Sequence, residues 1–186
     1  MDIMDANLQR RMQIEECLLE IMRSVPYQRI TVAELCNRLG IARKTFYYYY
    51  PSKDDCLNSG VDRKIREAAL YTAEVLPYNA KSVQAYLSNL NFWKSQKPFL
   101  ESLMKNNLGW VFLKRYIHYV QEEEKNLEIM LGTAAVKFDS DILLFYMCGQ
   151  ISMMLQWYTR GFDTPAEEMA QKYLRLIHSP LLPPDE

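Results

Sequence analysis

The chain opens with apolar residues that recur every three or four positions, the spacing that places them on one side of an α-helix. The first stripe consists of Ile14, Cys17, Leu18, Ile21, Met22 and Val25. A second stripe consists of Val32, Leu35, Cys36 and Leu39. Thr31 is suited to cap the second helix, and Gly40 ends it because glycine readily adopts the left-handed conformation that closes a helix. These patterns predict a long first helix and a short second one.

A third helix is predicted from about residue 42 to 49, with Phe46 and Tyr50 facing the second helix. Its other face carries two cations, each one turn before a phenol: Arg43, Lys44, Tyr47 and Tyr48. We expect Tyr50, together with Tyr49, to pack against the first helix, since aromatic residues at helical spacing are more often core than contact. Two short helices joined by a tight turn predict a helix-turn-helix, whose second helix enters the DNA major groove.

The charge of this segment fits nucleic acid. Residues 29–53 contain five Lys or Arg and one acid, a local net charge of +4 in a chain whose net charge is −1. A guanidinium can bind a guanine edge, a lysine can neutralise a phosphate, and a phenol can donate to phosphate or pack on a thymine methyl. Pro51 ends the helix, and Ser52 with Asp55 predicts a capping box for the next one, which places Lys53 beside the recognition helix. A merely solvated set of charges is the alternative.

A resemblance to the TetR/AcrR transcriptional regulators rests on the spacing of Thr31, Leu35, Gly40-Ile41-Ala42, Thr45-Phe46-Tyr47 and Tyr50-Pro51-Ser52-Lys53. It covers roughly residues 10–60, and residues 143–174 are loosely similar to a TetR subgroup of Gram-positive bacteria. The resemblance implies that Tyr47 and Lys53 bind phosphate and that Thr31 caps its helix and contacts the DNA backbone. It implies that Arg43, Lys44 and Tyr48 touch bases or backbone. Thr45 is a further expected DNA-binding residue. Lys44 departs from the small residue common at its position, and the tyrosine run lacks the common histidine and phenylalanine. The operator sequence therefore stays open.

The whole chain is predicted to be all-α, with a three-helix DNA-binding domain at residues 1–51 and a ligand-binding and dimerisation domain at residues 52–186. A helix from about residue 52 to 75 links them. The resemblance implies that tilting of this helix changes the separation of two recognition helices in a dimer. Further helices are predicted at about 81–94, 97–105, 107–130, 139–160 and 165–178. Residues 65–186 have a net charge of −2, so little additional DNA surface is expected.

The second domain is predicted to hold a pocket for an apolar or aromatic effector. Candidate lining residues are Phe92, Trp93, Trp110, Tyr116, Tyr146, Met153 and Trp157. A filled core is the alternative, because pockets and cores share the same apolar residues. The last two helices are the candidates for a dimer interface, with Gly149, Met169, Tyr173, Leu176 and Ile177 as contact residues. Here the alternative is a core within one chain.

Other classes of protein find little support. The N-terminus lacks the charged leader and apolar segment of a signal peptide, and the apolar stretch 142–158 is shorter than a membrane span. The four cysteines lack metal-ligand spacing, and His118 and His178 stand in no catalytic motif. We therefore expect a cytoplasmic regulator without enzymatic activity, metal or cofactor. Its expected partners are double-stranded DNA, a second copy of the chain and a small-molecule effector.

Repression is expected rather than activation. A protein co-regulator in place of the effector is a second hypothesis, and a helical enzyme or small-molecule carrier is a third.

Overall fold

The computed structural model describes residues 3–74, 83–122 and 140–178. This part of the chain is built from helices and turns without a strand, which confirms the all-α prediction. The helices are α1 (Ile3–Ile21), α2 (Val32–Leu39), α3 (Arg43–Tyr49), α4 (Lys53–Glu74), α5 (Val83–Ser95), α6 (Lys97–Met104), α7 (Gly109–Glu122), α8 (Ser140–Thr159) and α9 (Ala166–His178). A 3-10 turn, Tyr27–Arg29, lies between α1 and α2.

The predicted helices agree with these bounds to within one or two residues wherever the structure describes both ends. The predicted helix at 107–130 is observed as far as Glu122, and its remainder lies outside the described residues. The caps explain the sharpest boundaries. Thr31 Oγ1 accepts a hydrogen bond from the Glu34 N–H at 3.1 Å, and Gly40 has φ 62° and ψ 34°. Both ends of α2 are therefore set by the residue types that the sequence pattern indicates.

Two compact units can be distinguished. The first contains residues 1–64 and 98–115, and the second contains residues 65–97 and 116–186. These units do not coincide with the predicted DNA-binding domain, residues 1–51, and regulatory domain, residues 52–186. The functional boundary between residues 51 and 52 therefore stays a prediction. Among the described helices, none combines the length and apolar character needed to cross a bilayer.

The first unit packs α6 against the end of α1 through buried polar side chains. The Ser102 hydroxyl donates to the Leu19 carbonyl at 2.7 Å. The Asn106 amide donates to the Met22 carbonyl at 2.8 Å and accepts from the Tyr27 N–H at 2.5 Å. The carbonyls at the end of a helix lack partners within it, so these side chains satisfy the end of α1 and fix the turn that follows.

The second unit corrects part of the predicted dimer interface. Helix α9 packs on α5 of its own chain, and this contact buries Met169 and Tyr173. The Tyr173 ring lies 4.6 Å from that of Tyr86, and its hydroxyl donates to the Tyr146 carbonyl at 2.5 Å. The apolar stripe of α9 therefore faces its own chain, whereas Leu176 is 40% exposed.

The predicted pocket residues are also dispersed. Phe92, Trp93, Tyr116 and Trp157 are buried in the second unit. Trp110 belongs to the first unit and is 67% exposed, so it does not line a cavity in the second. A small cavity of about 10 Å³ lies among α5, α8 and α9, lined by Tyr86, Leu90, Gln150, Met153, Met169 and Tyr173. Such a volume holds about one water molecule, so any larger ligand must move side chains aside.

Candidate nucleic-acid interface

Helix α3 separates its residues into a buried and an exposed side. Phe46 is fully buried and Tyr50, which follows the helix, is 2% exposed. Tyr47 and Tyr48 are 48% and 74% exposed. This division agrees with the expected orientation of the tyrosine run.

The two cations complete the exposed side of α3. Arg43 and Lys44 are exposed, and neither forms a salt bridge with the residues that the structure describes. Thr45 is partly exposed between them and the phenols, and Thr31 is exposed at the start of α2. The predicted contact residues of the two helices are thus accessible, and their cations are available to an anionic partner.

Tyr49 connects the recognition helix to the first helix. Its hydroxyl donates to Asn7 Oδ1 of α1 at 3.1 Å, and its ring meets that of Tyr48 edge to face with centroids 5.0 Å apart. The expected packing of Tyr49 toward α1 is confirmed. The Tyr49 ring is held by its hydrogen bond to Asn7, and its contact with the Tyr48 ring limits the orientations of Tyr48 on the exposed side.

A buried carboxylate, Glu15, joins three helices behind this surface. Glu15 is 3% exposed and accepts hydrogen bonds from the Tyr50 hydroxyl at 2.6 Å, the Ser59 hydroxyl at 2.7 Å and Arg63 Nε at 2.6 Å. These donors lie just after α3 and on α4, whereas Glu15 lies on α1. Gly60 of α4 lies against Glu15, since a Cβ at Gly60 would stand 3.4 Å from Glu15 Cβ, in ordinary van der Waals contact. A buried charge needs such partners to offset its lost hydration.

The pKa values of its partners reflect this network. Burial and the hydrogen bond to Glu15 raise the pKa of the Tyr50 hydroxyl, so it stays a donor. Burial lowers the pKa of Arg63, but hydrogen bonds to Glu15 and Glu16 outweigh burial and raise that pKa above its ordinary value. The network is therefore a carboxylate held by a phenol, a hydroxyl and a guanidinium.

Lys53 occupies an environment that the sequence did not indicate. Its Nζ donates to the Tyr27 and Ile30 carbonyls, both at 2.7 Å, and lies 4.1 Å from the centroid of the Tyr27 ring. Burial lowers the pKa of Lys53, with partial compensation from the neighbouring Asp54. The Tyr27 hydroxyl in turn donates to Asp54. Lys53 thus ties the start of α4 to the turn that precedes α2, and two of its three N–H groups are used in doing so.

The Ser52 half of the capping box predicted before α4 is present, and the Asp55 carboxylate bonds the Ser52 hydroxyl in place of the Ser52 backbone N–H. Ser52 Oγ accepts from the Asp55 N–H at 3.1 Å and donates to the Asp55 carboxylate at 2.7 Å. The same turn therefore ends the recognition helix and starts α4, which fixes the relative direction of the two helices.

Sequence reasoning missed Glu15, although a signal was present. The residue lies beside Ile14 and one turn before Leu18, inside the apolar stripe of α1. A charged residue at a core position indicates a buried partner. Its neighbour Glu16 is exposed, and the sequence alone does not indicate which of the two points inward.

The capped α2, the left-handed turn at Gly40 and the exposed cations and phenols of α3 form a helix-turn-helix, an arrangement that many DNA-binding proteins use. Residues 19–59 match the family model of the bacterial regulatory proteins of the tetR family. This match covers the DNA-binding domain of the family, and the fold of the described residues is similar to that of TetR-type transcriptional regulators. The resemblance that the motif spacing indicated is confirmed.

Individual relatives match the two parts of the chain to different degrees. Nucleoid occlusion factors SlmA from several Shewanella strains, among them Shewanella oneidensis, are 37% identical over 46 residues. That segment is 25% of this chain and spans only 23% of the length of those relatives. This chain therefore matches less than a quarter of the length of those relatives.

Solved structures extend the similarity to nearly the whole fold. A tetR-family regulator from Streptomyces coelicolor superposes with a TM-score of 0.56 at 18% identity, covering 90% of this chain and 78% of its own. FadR from Bacillus halodurans gives 0.57 at 14% identity, covering 92% of this chain and 96% of its own. FadR from Bacillus subtilis, solved with stearoyl-CoA, gives 0.56 at 17% identity, covering 90% and 97%. At these identities the likeness concerns the fold.

Proposed function

We propose that this chain is a TetR-type transcriptional repressor that binds a palindromic operator as a homodimer and leaves it when a small-molecule effector binds. The observation that carries the proposal is the exposed side of α3, where unpaired cations stand beside solvent-exposed phenols on a well-supported helix. The proposed repressor acts by binding DNA and not by catalysis, and it acts in the cytoplasm, where its DNA partner lies.

The residue types suggest separate tasks on DNA. Arg43 reads a guanine edge, because its guanidinium can donate two parallel hydrogen bonds. Lys44 and the Tyr47 hydroxyl bind phosphate, and Tyr48 packs on a thymine methyl or a sugar. Thr31 and Thr45 add hydroxyl contacts to the backbone. The division into base and phosphate contacts makes the proposal testable residue by residue.

Selection of random duplexes by the purified protein at near-physiological salt is the direct test of this function. We expect an inverted repeat to be enriched, with half-sites separated by about one helical turn, 34–36 Å. For the Arg43→Ala variant we expect a loss of about 1–3 kcal/mol for each half-site, with relaxed preference at one position of each half-site. Lys44→Ala serves as its control and should weaken binding to all sequences alike. Enrichment of no duplex by the folded parent would refute the proposal.

The homodimer is supported by an apolar, accessible side of α8. Phe145 is 63% exposed and Tyr146 is 37% exposed, and Gly149 has no atom within 4 Å of the position where a Cβ would stand. Leu176 of α9 is exposed as well. A symmetric contact between two copies would cover these groups, and a glycine at its centre would let the helices approach closely. Ile177 remains a proposed contact, whereas Met169 and Tyr173 support the interface from behind.

Replacing Gly149 with glutamine should weaken the dimer without harming the monomer. Glutamine is the better helix former by roughly half a kcal/mol, and its Cβ meets open space within the chain. At the interface the same side chain would hold the helices apart. We expect the dimer dissociation constant, from analytical ultracentrifugation, to rise about tenfold or more, equivalent to about 1.4 kcal/mol. Gly149→Ala should have a smaller effect, and an unchanged constant for Gly149→Gln would place the interface elsewhere.

A protein co-regulator is the second candidate for the controlling partner. Trp110 of the first unit is 67% exposed, and exposed large aromatic residues are typical of protein-binding surfaces. The small volume of the described cavity also favours this candidate. In favour of a small molecule, FadR from Bacillus subtilis shares the fold and was solved with stearoyl-CoA. Release of the selected duplex by a small molecule, with no other protein present, distinguishes the two candidates.

A further inference from the structure

Three polar side chains form a continuous hydrogen-bonded chain across the second unit. Asn89 of α5 donates through Nδ2 to Thr72 Oγ1 of α4 at 3.3 Å. Its Oδ1 accepts from Gln150 Nε2 of α8 at 3.2 Å. The Thr72 hydroxyl donates to the Ala68 carbonyl one turn earlier in α4, at 2.8 Å. We call Gln150, Asn89 and Thr72 the amide relay.

The hydrogen bonds of the relay run in one direction, from Gln150 through Asn89 and Thr72 to Ala68. The single proton of the Thr72 hydroxyl is used on Ala68, so the hydroxyl can only accept from Asn89. Asn89 must therefore turn its NH2 group to α4 and its oxygen to Gln150. A flipped amide would bring two acceptors together at one end and two donors at the other. The relay therefore depends on defined distances and directions between its three side chains, unlike apolar contacts, which can slide.

One end of the relay lies at the cavity. Gln150 is 9% exposed and lines the 10 Å³ cavity together with Met153 and Met169, while its amide points to Asn89. Methionine side chains are unbranched and adapt easily, so a molecule entering here would displace them first. Gln150 forms part of the same wall, so a ligand that enlarges the cavity on this side displaces it.

The other end lies on the helix that begins beside the DNA reader. Helix α4 runs without interruption from Lys53 to Glu74, and Ala68 and Thr72 lie in its last turns. Two recognition helices must match a fixed half-site spacing, so a small displacement of α4 is enough to weaken simultaneous docking.

We propose that the amide relay couples the state of the cavity to α4, with Gln150 as the positioning residue that a ligand displaces. The inference rests on the proposed function, in which the ligand-free chain is the operator-binding form. The intact relay holds α4 in the position of the operator-binding form. Displacement of Gln150 leaves Asn89 without its donor and releases α4.

The test uses isosteric variants of Thr72. Thr72→Val removes the hydroxyl and keeps the shape, whereas Thr72→Ser keeps the hydroxyl and serves as the matched control. We expect Thr72→Val to bind the selected operator about three- to tenfold more weakly than the parent. The operator affinity of Thr72→Ser should stay within about twofold of that of the parent, a smaller change than coupling residues typically cause. Equal affinities for Thr72→Val and the parent would overturn the proposal.

A double-mutant cycle separates coupling from independent packing effects. Gln150→Met keeps the length of the side chain and removes its amide. If the relay acts as one unit, Thr72→Val and Gln150→Met together should weaken binding no more than the stronger single variant. Additive effects would refute the relay. Asn91, exposed on α5, supplies the neutral site, and Asn91→Ala should leave operator affinity unchanged.

Hydrogen exchange gives a readout that does not depend on DNA. We expect Thr72→Val, but not Thr72→Ser, to speed amide exchange in α8 around Gln150 as well as in the last turns of α4. If Thr72→Val changes amide exchange in α4 but not in α8, the proposed coupling is wrong, whether or not the chain binds DNA. Failure of the parent to select any duplex would instead refute the proposed function, so the two failures remain distinguishable.

Discussion

Replacing Glu15 with alanine is expected to lower the free energy of unfolding by about 3–5 kcal/mol. The Glu15 side chain is 3% exposed and that of Arg63 is 14% exposed, so the substitution leaves a largely buried guanidinium with one acceptor fewer. The Tyr50 and Ser59 hydroxyls lose their common acceptor at the same time. Removing one member of a buried charged network costs more than the network contributes, because the remaining members keep their desolvation penalty. Urea denaturation followed by circular dichroism measures this loss.

Glu16 supplies the matched control for this prediction. It lies next to Glu15, binds the same guanidinium at 2.6 Å, and its side chain is 52% exposed. Since exposed ion pairs contribute little, Glu16→Ala should cost about 1 kcal/mol or less. Glu15→Gln should fall between the two, because an amide oxygen can still accept from part of the network. A loss for Glu15→Ala as small as that for Glu16→Ala would show that water replaces the carboxylate at no great cost.

The adjacent glutamates also show where sequence reasoning succeeds and where it stops. Helical periodicity correctly indicated the buried stripe of α1, and the residue types at Thr31 and Gly40 correctly indicated the ends of α2. Those features depend on local chemistry. The inward direction of Glu15 depends on Ser59 and Arg63, more than forty positions away. A pattern read along one helix does not contain that information.

The second unit shows the same limit for surfaces and pockets. The apolar stripe of α9 was recognised, but periodicity identifies a face and not the partner that covers it. The partner is α5 of the same chain, which buries Met169 and Tyr173. Asn89 and Gln150 were missed because single amides on helices are usually solvated, and only their placement opposite each other and Thr72 makes them a chain.

Lys53 is expected to act on DNA through the position of α4 and not through a phosphate contact of its own. The motif spacing suggested phosphate, yet its ammonium is bound by two carbonyls and the Tyr27 ring. Lys53→Met keeps most of the stem and removes these interactions. We expect it to lower the free energy of unfolding by about 2–3 kcal/mol, since hydrogen bonds to charged groups are worth about 1.5–3 kcal/mol each and part of this site is hydrated. Operator affinity at a single salt concentration should fall as well, because the start of α4 is no longer tied to the turn before α2.

The salt dependence of binding separates the two roles of Lys53. Each phosphate neutralised by a cation contributes about 0.9 to the slope of log K against log salt concentration. Lys44→Ala removes an exposed cation of α3 from each of the two copies in the dimer, so it should reduce that slope by about 1.8. Lys53→Met should leave the slope equal to that of the parent while shifting the whole line to weaker binding. A slope reduced by Lys53→Met as much as by Lys44→Ala would mean that the ammonium leaves the carbonyls for phosphate on the operator. In that case the contacts seen in the free chain would be the resting position of a DNA ligand, and the loss of stability would be a separate effect of the same side chain.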